Sequence, residues 1–460
     1  MRINRYNSFS PVAALAIIEL LAFVLASLLS SIAAQGPGHW QYDRYEGLRA
    51  VCFGAVMSVA MVAMGLYHPR QRAALAGILV RVVAGVLGGA GVVGLISYLV
   101  PVVRMDRGAL AGAMIVSVLL VGIARSVFER LTDENLFRRR VLVVGAGRRA
   151  ESISMLRRRS DMRDFQVVGF VAIEGEGPGV PRERVVDIKT TLLDCCRELA
   201  VDEIVVAMDD RRRSFPVHEL LECRVHGIDV TELVDFLERE TGKVRLDVVN
   251  PSWIIFSPGF NRGPVRAFAS RSLDVLASLG ILALAWPVML LTALAIKLED
   301  GPGAPVFYRQ IRVGLEGRCF AVLKFRSMRV DAERHGAQWA TKRDPRVSRV
   351  GAVIRKMRID ELPQILNVLK GDMRFVGPRP ERPEFVANFE EKIPYYRERH
   401  FVKPGITGWA QLCHPYGASE QDAAQKLEYD LYYVKNRSLL FDLMILLQTV
   451  EVVLWGKGGR

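Results

Sequence analysis

Residues 355–380 read RKMRIDELPQILNVLKGDMRFVGPRP. Two adjacent acids, Asp360 and Glu361, precede a proline and an apolar helical turn, with Arg355, Arg358, Arg374 and Arg379 around them. A helix tolerates proline mainly in its first turn. Pro363 therefore predicts a helix start, with Asp360 as N-cap, Leu366 and Leu369 on the inner face and Gly371 as the C-terminal stop. The acids then sit at a helix mouth, where free N–H groups and the positive dipole end suit phosphate. A carboxylate pair there can hold a divalent cation that phosphates also bind. On local pattern alone, a capped surface helix with ion pairs reads equally well.

Working outward, the 460 residues suffice for two or three units, and the 50% hydrophobic content is high for a soluble protein. The excess is concentrated in blocks. Residues 11–34, 47–66, 75–100 and 109–127 each approach the ~20 residues needed to cross a bilayer as helix, which predicts four spans rather than a cleaved signal peptide. Arg2, Arg5, Arg70, Arg72 and the run 138–140 mark one side, so both ends of this segment are expected in the cytoplasm. Glu19 and Arg81 fall inside spans and are assigned no chemistry. The net charge of +13 fits basic flanks of membrane segments and phosphorylated substrates. Without an interleaved aromatic and basic groove or zinc-finger spacing, it does not point to nucleic acid. The six cysteines form no CxxC pair, as in a reducing compartment.

From residue 138 the pattern becomes α/β. Strand-like runs at 141–144, 166–172 and 203–207 alternate with helical segments such as 190–199, predicting a Rossmann-like parallel sheet over 138–255. The turn Gly145-Ala-Gly147-Arg-Arg-Ala150 has GxGxxA spacing, and Glu174 lies beyond the second strand. Such a turn either cradles a pyrophosphate or simply packs a helix close to its strand. Residues 250–264, rich in Pro and Gly, read as the linker out of this domain.

A fifth apolar block, 273–296, has Arg262, Arg266 and Arg271 before it and Lys297 after it. Pro287 near its middle removes a helix hydrogen bond and clashes with the preceding turn. A kinked helix that enters one leaflet and returns is one reading, and a Pro-kinked fifth span is the other. The final apolar stretch, 439–455, is short for a span and is expected to lie in the membrane interface or to cover the domain.

Six motifs follow in order: YRQIRVG at 308–314, KFRSM at 324–328, DPRVSRVG at 344–351, DELPQILNVLKGDM at 360–373, VGPRP at 376–380 and PGITGWAQ at 404–411. In these the region from about residue 266 to 460 resembles the bacterial sugar transferases, the monotopic polyprenyl-phosphate phosphoglycosyl transferases. With four helices over 1–130 and the Rossmann-like domain, the whole is similar to the family's long form. The stretch from 415 to 456 is similar to the subgroup of exosortase-linked polysaccharide loci. The implied architecture is an α/β membrane protein: a four-helix transmembrane bundle, a Rossmann-like domain and a small α/β catalytic domain with a re-entrant helix at about 271–297, broken at Pro287.

The resemblance implies transfer of a sugar-1-phosphate from a UDP-sugar to undecaprenyl (polyprenyl) phosphate with release of UMP, the first membrane step of exopolysaccharide or related glycan biosynthesis. It makes Asp360 the nucleophile of a phosphosugar-aspartyl intermediate and Glu361 its partner, with Mg²⁺ held by the pair. A carboxylate ionised near neutral pH can attack phosphorus without a separate base, so the residue types agree. Arginine suits bidentate phosphate contacts, which makes Arg379, Arg326 and Arg355, with Lys324 and Arg358, the candidate phosphate ligands. Gly145 and Gly147 remain a possible nucleotide turn. The expected setting is the cytoplasmic face of a bacterial inner membrane, in the lipid bilayer, as a homodimer. Two departures stand out: Trp286 precedes Pro287 where the best-known small members of the family carry Ser, and Arg374 follows GDM where Ser is usual.

Two other readings share the front half. A membrane-anchored nucleotide-sugar dehydratase would need an acid–base set such as Tyr-x-x-x-Lys, a spacing that does not occur in this sequence. A nucleotide sensor would use the turn at 145–150 and have no enzymatic activity.

Overall fold

The computed structural model describes residues 11–35, 44–67, 75–131, 138–156, 165–173, 175–177, 179–188, 190–210, 215–257, 263–329, 345–414 and 419–454. Of the positions read above, Arg2, Arg5, Arg70, Arg72, Glu174, Arg262, Asp344, residues 415–418, Trp455 and Gly456 lie outside them. The chain divides into two compact units, Met1–Thr241 and Gly242–Arg460.

In the first unit, four helices, Pro11–Gln35, Glu46–Ala63, Leu75–Leu99 and Arg107–Leu131, are long and apolar enough to cross a membrane. The first packs on the second and fourth, and the third on the second and fourth. Phe23, Phe53, Met57, Met61, Val82 and Val121 fill the interior. Leu21, Leu25, Leu87, Leu95, Ile115 and Ile123 nevertheless face outward. Charge is found inside: Arg125 Nε lies 2.6 Å from Glu19 Oε1, and the Tyr67 hydroxyl donates to the same carboxylate. Arg81 donates Nη1 to the Met64 carbonyl at 3.2 Å. Leucine outside with paired charge inside is the order expected when the surrounding medium is hydrocarbon. The protein is accordingly a membrane α/β protein.

The same unit carries four strands: β1 (Arg139–Val144), β2 (Phe165–Val171), β3 (Glu203–Val206) and β4 (Asp229–Glu232). They form one parallel sheet in the order β2-β1-β3-β4. Leu142, Val144, Ile204 and Val206 are buried, as expected for strands covered on both faces. Thr191 caps helix Leu192–Glu198 by accepting from Asp194 N at 3.1 Å. β4 escaped the sequence reading because Asp-Val-Thr-Glu at a sheet edge carries no apolar run.

The second unit begins at Gly242, ahead of the stretch read as a linker, and that stretch holds helix Pro251–Phe256. Next comes helix Pro264–Asp300, a single helical element of 37 residues that runs through Pro287. It buries Ser270, Asp274 and Ser278 and exposes Leu276, Leu279, Leu284, Leu290 and Leu291. β5 (Phe307–Val313) and β6 (Cys319–Phe325) form an antiparallel hairpin, and β7 (Arg374–Val376) pairs in parallel with β8 (Gly405–Thr407). Helix Glu420–Asn436 starts at a capping box of Ser419 and Asp422. Helix Leu439–Leu454 buries Asp442 and Ile445 and exposes Leu440 and Leu443. Val322, Val368, Met373, Val376, Tyr433 and Ile445 form the core of this unit.

Candidate active site

The KFRSM and DPRVSRVG motifs meet through backbone. Ser348 caps helix Arg349–Lys356 by accepting from Gly351 N at 2.9 Å, and Glu299 accepts from Arg349 N and Val350 N at 2.7 and 2.9 Å. A Cβ on Gly351 would lie 2.0 Å from the Ser327 carbonyl oxygen, so only glycine lets the two motifs approach this closely. After Arg355 the chain reverses at Arg358, whose φ of 59° is left-handed. A non-glycine residue held there costs roughly 1 kcal/mol or more. The reversal leads into the 3-10 turn Ile359–Glu361, which carries both acids.

Asp360 is not the N-cap of the helix that follows. That helix, Gln364–Lys370, begins after Pro363, which takes the N-cap position without a side-chain bond. The extra 3-10 turn moves the acids a turn ahead of the helix. The inner face also differs from the expected one: Ile365, Asn367 and Val368 are buried, whereas Leu366 is 41% exposed. Asn367 decides this face. Its carboxamide accepts from Leu323 N at 2.9 Å and donates to the Ala321 carbonyl at 2.8 Å, stitching the helix to β6. Gly371 stops the helix at φ 95°, as expected. Arg271 donates to the Val368 and Leu369 carbonyls, and Lys403 Nζ to the Gly371 carbonyl at 2.7 Å. Cations thus meet the negative end of the dipole.

The β6 stitch brings Lys324 to the acids. Lys324 Nζ and Arg379 Nη2 both donate to Glu361 Oε1 at 3.0 Å. Burial alone would raise the Glu361 carboxyl, but Arg379 and Lys324 outweigh it and hold the group well below the usual carboxylate range. Asp360, 8% exposed, is pushed the other way. Burial and then the Glu361 charge raise it, opposed by Lys324, Arg355 and Arg358. Burial lowers Lys324 in spite of Glu361. Two neighbouring carboxylates in unlike environments can divide their tasks, one fixed as an anion and the other adjustable.

Arg379 is held through its own backbone. Arg399 Nη2 donates to the Arg379 carbonyl at 3.0 Å, and Arg312 Nη1 to the Pro380 carbonyl at 3.1 Å. Arg399 is itself paired with buried Asp430 at 2.8 Å. VGPRP and PGITG close on each other: Gly377 N donates to Thr407 O at 2.9 Å and Gly405 N to Pro378 O at 3.0 Å. A Cβ on Gly377 would lie 2.5 Å from the Lys403 carbonyl oxygen.

The structure therefore brings Asp360, Glu361, Lys324 and Arg379 together, with Arg355 and Arg358 acting on Asp360 electrostatically. Arg326 donates Nε to the Pro305 carbonyl at 3.0 Å. Pro287 lies within helix Pro264–Asp300, and Gly145 and Gly147 follow β1 in the first unit. Sequence reasoning missed Asn367, Arg312, Arg399, Asp430 and Glu299. Asn367 and Arg312 stood inside quoted motifs, but their partners lie far along the chain. Among the described residues no three or more His, Cys, Asp or Glu side chains gather into a metal cage. The carboxylates of Asp360 and Glu361 still fit Mg²⁺, which commonly takes one or two protein carboxylates with phosphate oxygens and water.

Residues 265–456 match the bacterial sugar transferase family. A UDP-N-acetylgalactosamine-undecaprenyl-phosphate N-acetylgalactosaminephosphotransferase of Aeromonas hydrophila is 46% identical over 52% of this chain and 56% of its own length. A UDP-glucose:undecaprenyl-phosphate glucose-1-phosphate transferase of Xanthomonas campestris pv. campestris is 44% identical over 42% of this chain and 39% of its own. The match thus spans roughly half or less of these two relatives. An exopolysaccharide production protein of Rhizobium leguminosarum bv. phaseoli is 42% identical over 41% of this chain and 96% of its own length, nearly a whole protein. With Lys324 of KFRSM and Arg379 of VGPRP meeting Glu361 beside the buried Asp360, these matches show that the chain belongs to the bacterial sugar transferase family.

Proposed function

We propose that the second unit transfers a sugar-1-phosphate from a UDP-sugar to a polyprenyl phosphate and releases UMP. The observation that carries the reading is the pair of acids in which Lys324 and Arg379 occupy the half-buried Glu361 while the buried Asp360 lies beside it under the field of Arg355 and Arg358. An Asp360 carboxylate oxygen attacks the phosphorus that bears the sugar. The bond from that phosphorus to the bridging oxygen breaks, and its electron pair leaves with UMP. A polyprenyl phosphate oxygen then attacks the same phosphorus, frees Asp360 and carries the sugar-1-phosphate away. Glu361 anchors Lys324 and Arg379, whose positive charge faces the diphosphate. Mg²⁺, held by Asp360 and Glu361, would supply further neutralisation of the phosphate charge.

The names of the relatives divide between N-acetylgalactosamine and glucose, so the donor is a UDP-hexose or UDP-N-acetylhexosamine. Helix Pro264–Asp300 would be about 55 Å long if straight, against a hydrocarbon core of ~30 Å. Within the proposal it enters the membrane, turns back near Pro287 and keeps the site on the cytoplasmic face of the inner membrane. The four helices of the first unit are its transmembrane bundle, and the protein acts as a homodimer.

The test is UMP release by the full-length protein from a panel of UDP-sugars with polyprenyl phosphate and Mg²⁺. One sugar should support release. Asp360→Asn should lower turnover by about 10⁴-fold or more while donor binding survives. No release with any donor would sink the reading, and near-normal release by Asp360→Asn would remove the covalent step.

A further inference from the structure

The first unit carries a turn that the proposed reaction does not use. β1 ends at Val144, and Gly145-Ala146-Gly147 leads into helix Arg148–Ser154. In a parallel sheet of this kind, that turn ordinarily seats the pyrophosphate of a dinucleotide, because its backbone N–H groups converge there. In this chain two of its own carboxylates take those donors. Asp209, just past β3, accepts from Arg148 N through Oδ2 at 2.9 Å and from Arg149 N through Oδ1 at 2.8 Å. Glu176, past β2, accepts from Ala146 N through Oε2 and from Asp209 N through Oε1, both at 2.8 Å.

The backbone closes over the same space. Gly179 N donates to the Ala146 carbonyl at 2.9 Å, and a Cβ on Gly179 would lie 2.2 Å from the Gly147 carbonyl oxygen. A Cβ on Gly147 would lie 2.3 Å from Asp209 Oδ2, and one on Gly145, at φ 118°, 2.7 Å from the Ala207 carbonyl oxygen. The glycines are thus required for contacts within the chain. A pyrophosphate would have to displace two carboxylates of its own sign from hydrogen bonds they already make.

We infer that the phosphate cradle of this Rossmann-like unit is closed from within by Asp209 and Glu176, so that its residues do not fit a dinucleotide. The turn works instead as a tie. One pair of acids joins the ends of β1, β2 and β3 through four backbone N–H groups, giving the unit a rigid, ligand-independent edge.

The test uses the full-length protein in detergent. Equilibrium dialysis with radiolabelled NAD⁺ or NADP⁺ should show no binding above a protein-free detergent control. Asp209→Ala should melt several degrees below the wild type and be restored by inorganic sulfate, which can replace the lost carboxylate on the Arg148 and Arg149 N–H groups. The wild type should respond less to sulfate. Asp209→Asn, which keeps the size and one acceptor oxygen, should fall between them and gives the reading if the alanine variant does not fold. Stoichiometric binding of either dinucleotide to the wild type overturns the inference. So do variants that melt like the wild type without a response to sulfate.

Discussion

Arg374 donates Nε to Asp274 Oδ2 at 3.0 Å and so binds β7 to the long apolar helix Pro264–Asp300. The other side of the guanidinium reaches Asp442 Oδ2 at 2.9 Å, on helix Leu439–Leu454, and Tyr433 donates to Asp442 Oδ1 at 2.7 Å. Burial works against the Arg374 charge, but Tyr433, Asp442 and Asp274 outweigh it and raise the guanidinium above its ordinary value. One side chain thus ties two apolar helices to the strand that runs into Gly377-Pro378-Arg379. The extra charge after GDM is a largely buried cross-link.

Replacing Arg374 by Met leaves two buried acids without their shared cation, which should cost about 3–5 kcal/mol. Converting Asp274 and Asp442 to Asn in the same chain removes the uncompensated charge and should recover most of the loss. Thermal melting of the purified variants reads both effects, and an Arg374→Met protein as stable as the wild type would refute the tie.

Asn367 is expected to matter through Lys324. Asn367→Leu leaves Leu323 N and the Ala321 carbonyl without their partner, a loss of about 1–3 kcal/mol, and frees β6 to shift. Turnover should fall further than stability explains, with donor KM also rising, because Lys324 no longer meets Glu361. Kinetics at a temperature well below the melting midpoint separate the two; unchanged kinetics in a folded variant would make Asn367 purely structural.

The pH profile should be narrower than free side chains would give. In the proposed reaction Asp360 must lose its proton to attack, and its pKa is raised above the ordinary 3.8, so the acid limb should lie above that value. Lys324 must keep its proton to hold Glu361, and its pKa is lowered from 10.5, so activity should fall on the alkaline side below that value. Glu361, held low, stays ionised throughout. Lys324→Arg should move the alkaline limb upward, since guanidinium does not deprotonate. An alkaline limb that stays in place would assign it to another group.

Topology offers a separate check. Tags inserted after Arg262 and after Arg460 should both be shielded from a periplasmic labelling reagent in intact cells. Labelling of the C-terminal tag alone would show that helix Pro264–Asp300 crosses completely.

Much of this molecule was legible in one dimension, and the reason is locality. Strand runs such as 141–144, the apolar blocks, the stop at Gly371 and the acid pair each express a preference within a few residues. The inner face of helix Gln364–Lys370 was read one residue off because Leu366 looks more apolar than Asn367, while the actual choice was made by two backbone groups of β6, more than forty positions earlier. The partners of Arg374, Asp274 and Asp442, were equally hidden, since they lie 100 and 68 positions away along the chain.

The sequence by itself determined where the long apolar helices and the apolar strand runs such as 141–144 form, that five segments suit a membrane and that two adjacent acids stand before Pro363 among the ordered motifs, since these follow from periodicity, length and motif order. Only the tertiary structure decided how alike residues differ in role. It left Asp360 raised and Glu361 lowered, paired Glu19 with Arg125, buried Arg374 between two helices and filled the glycine turn with Asp209. These outcomes depend on burial and on which charge or N–H group lies close by, since desolvation, Coulomb and hydrogen-bond energies are large there. Such distances join residues far apart in the chain, and no local pattern records them.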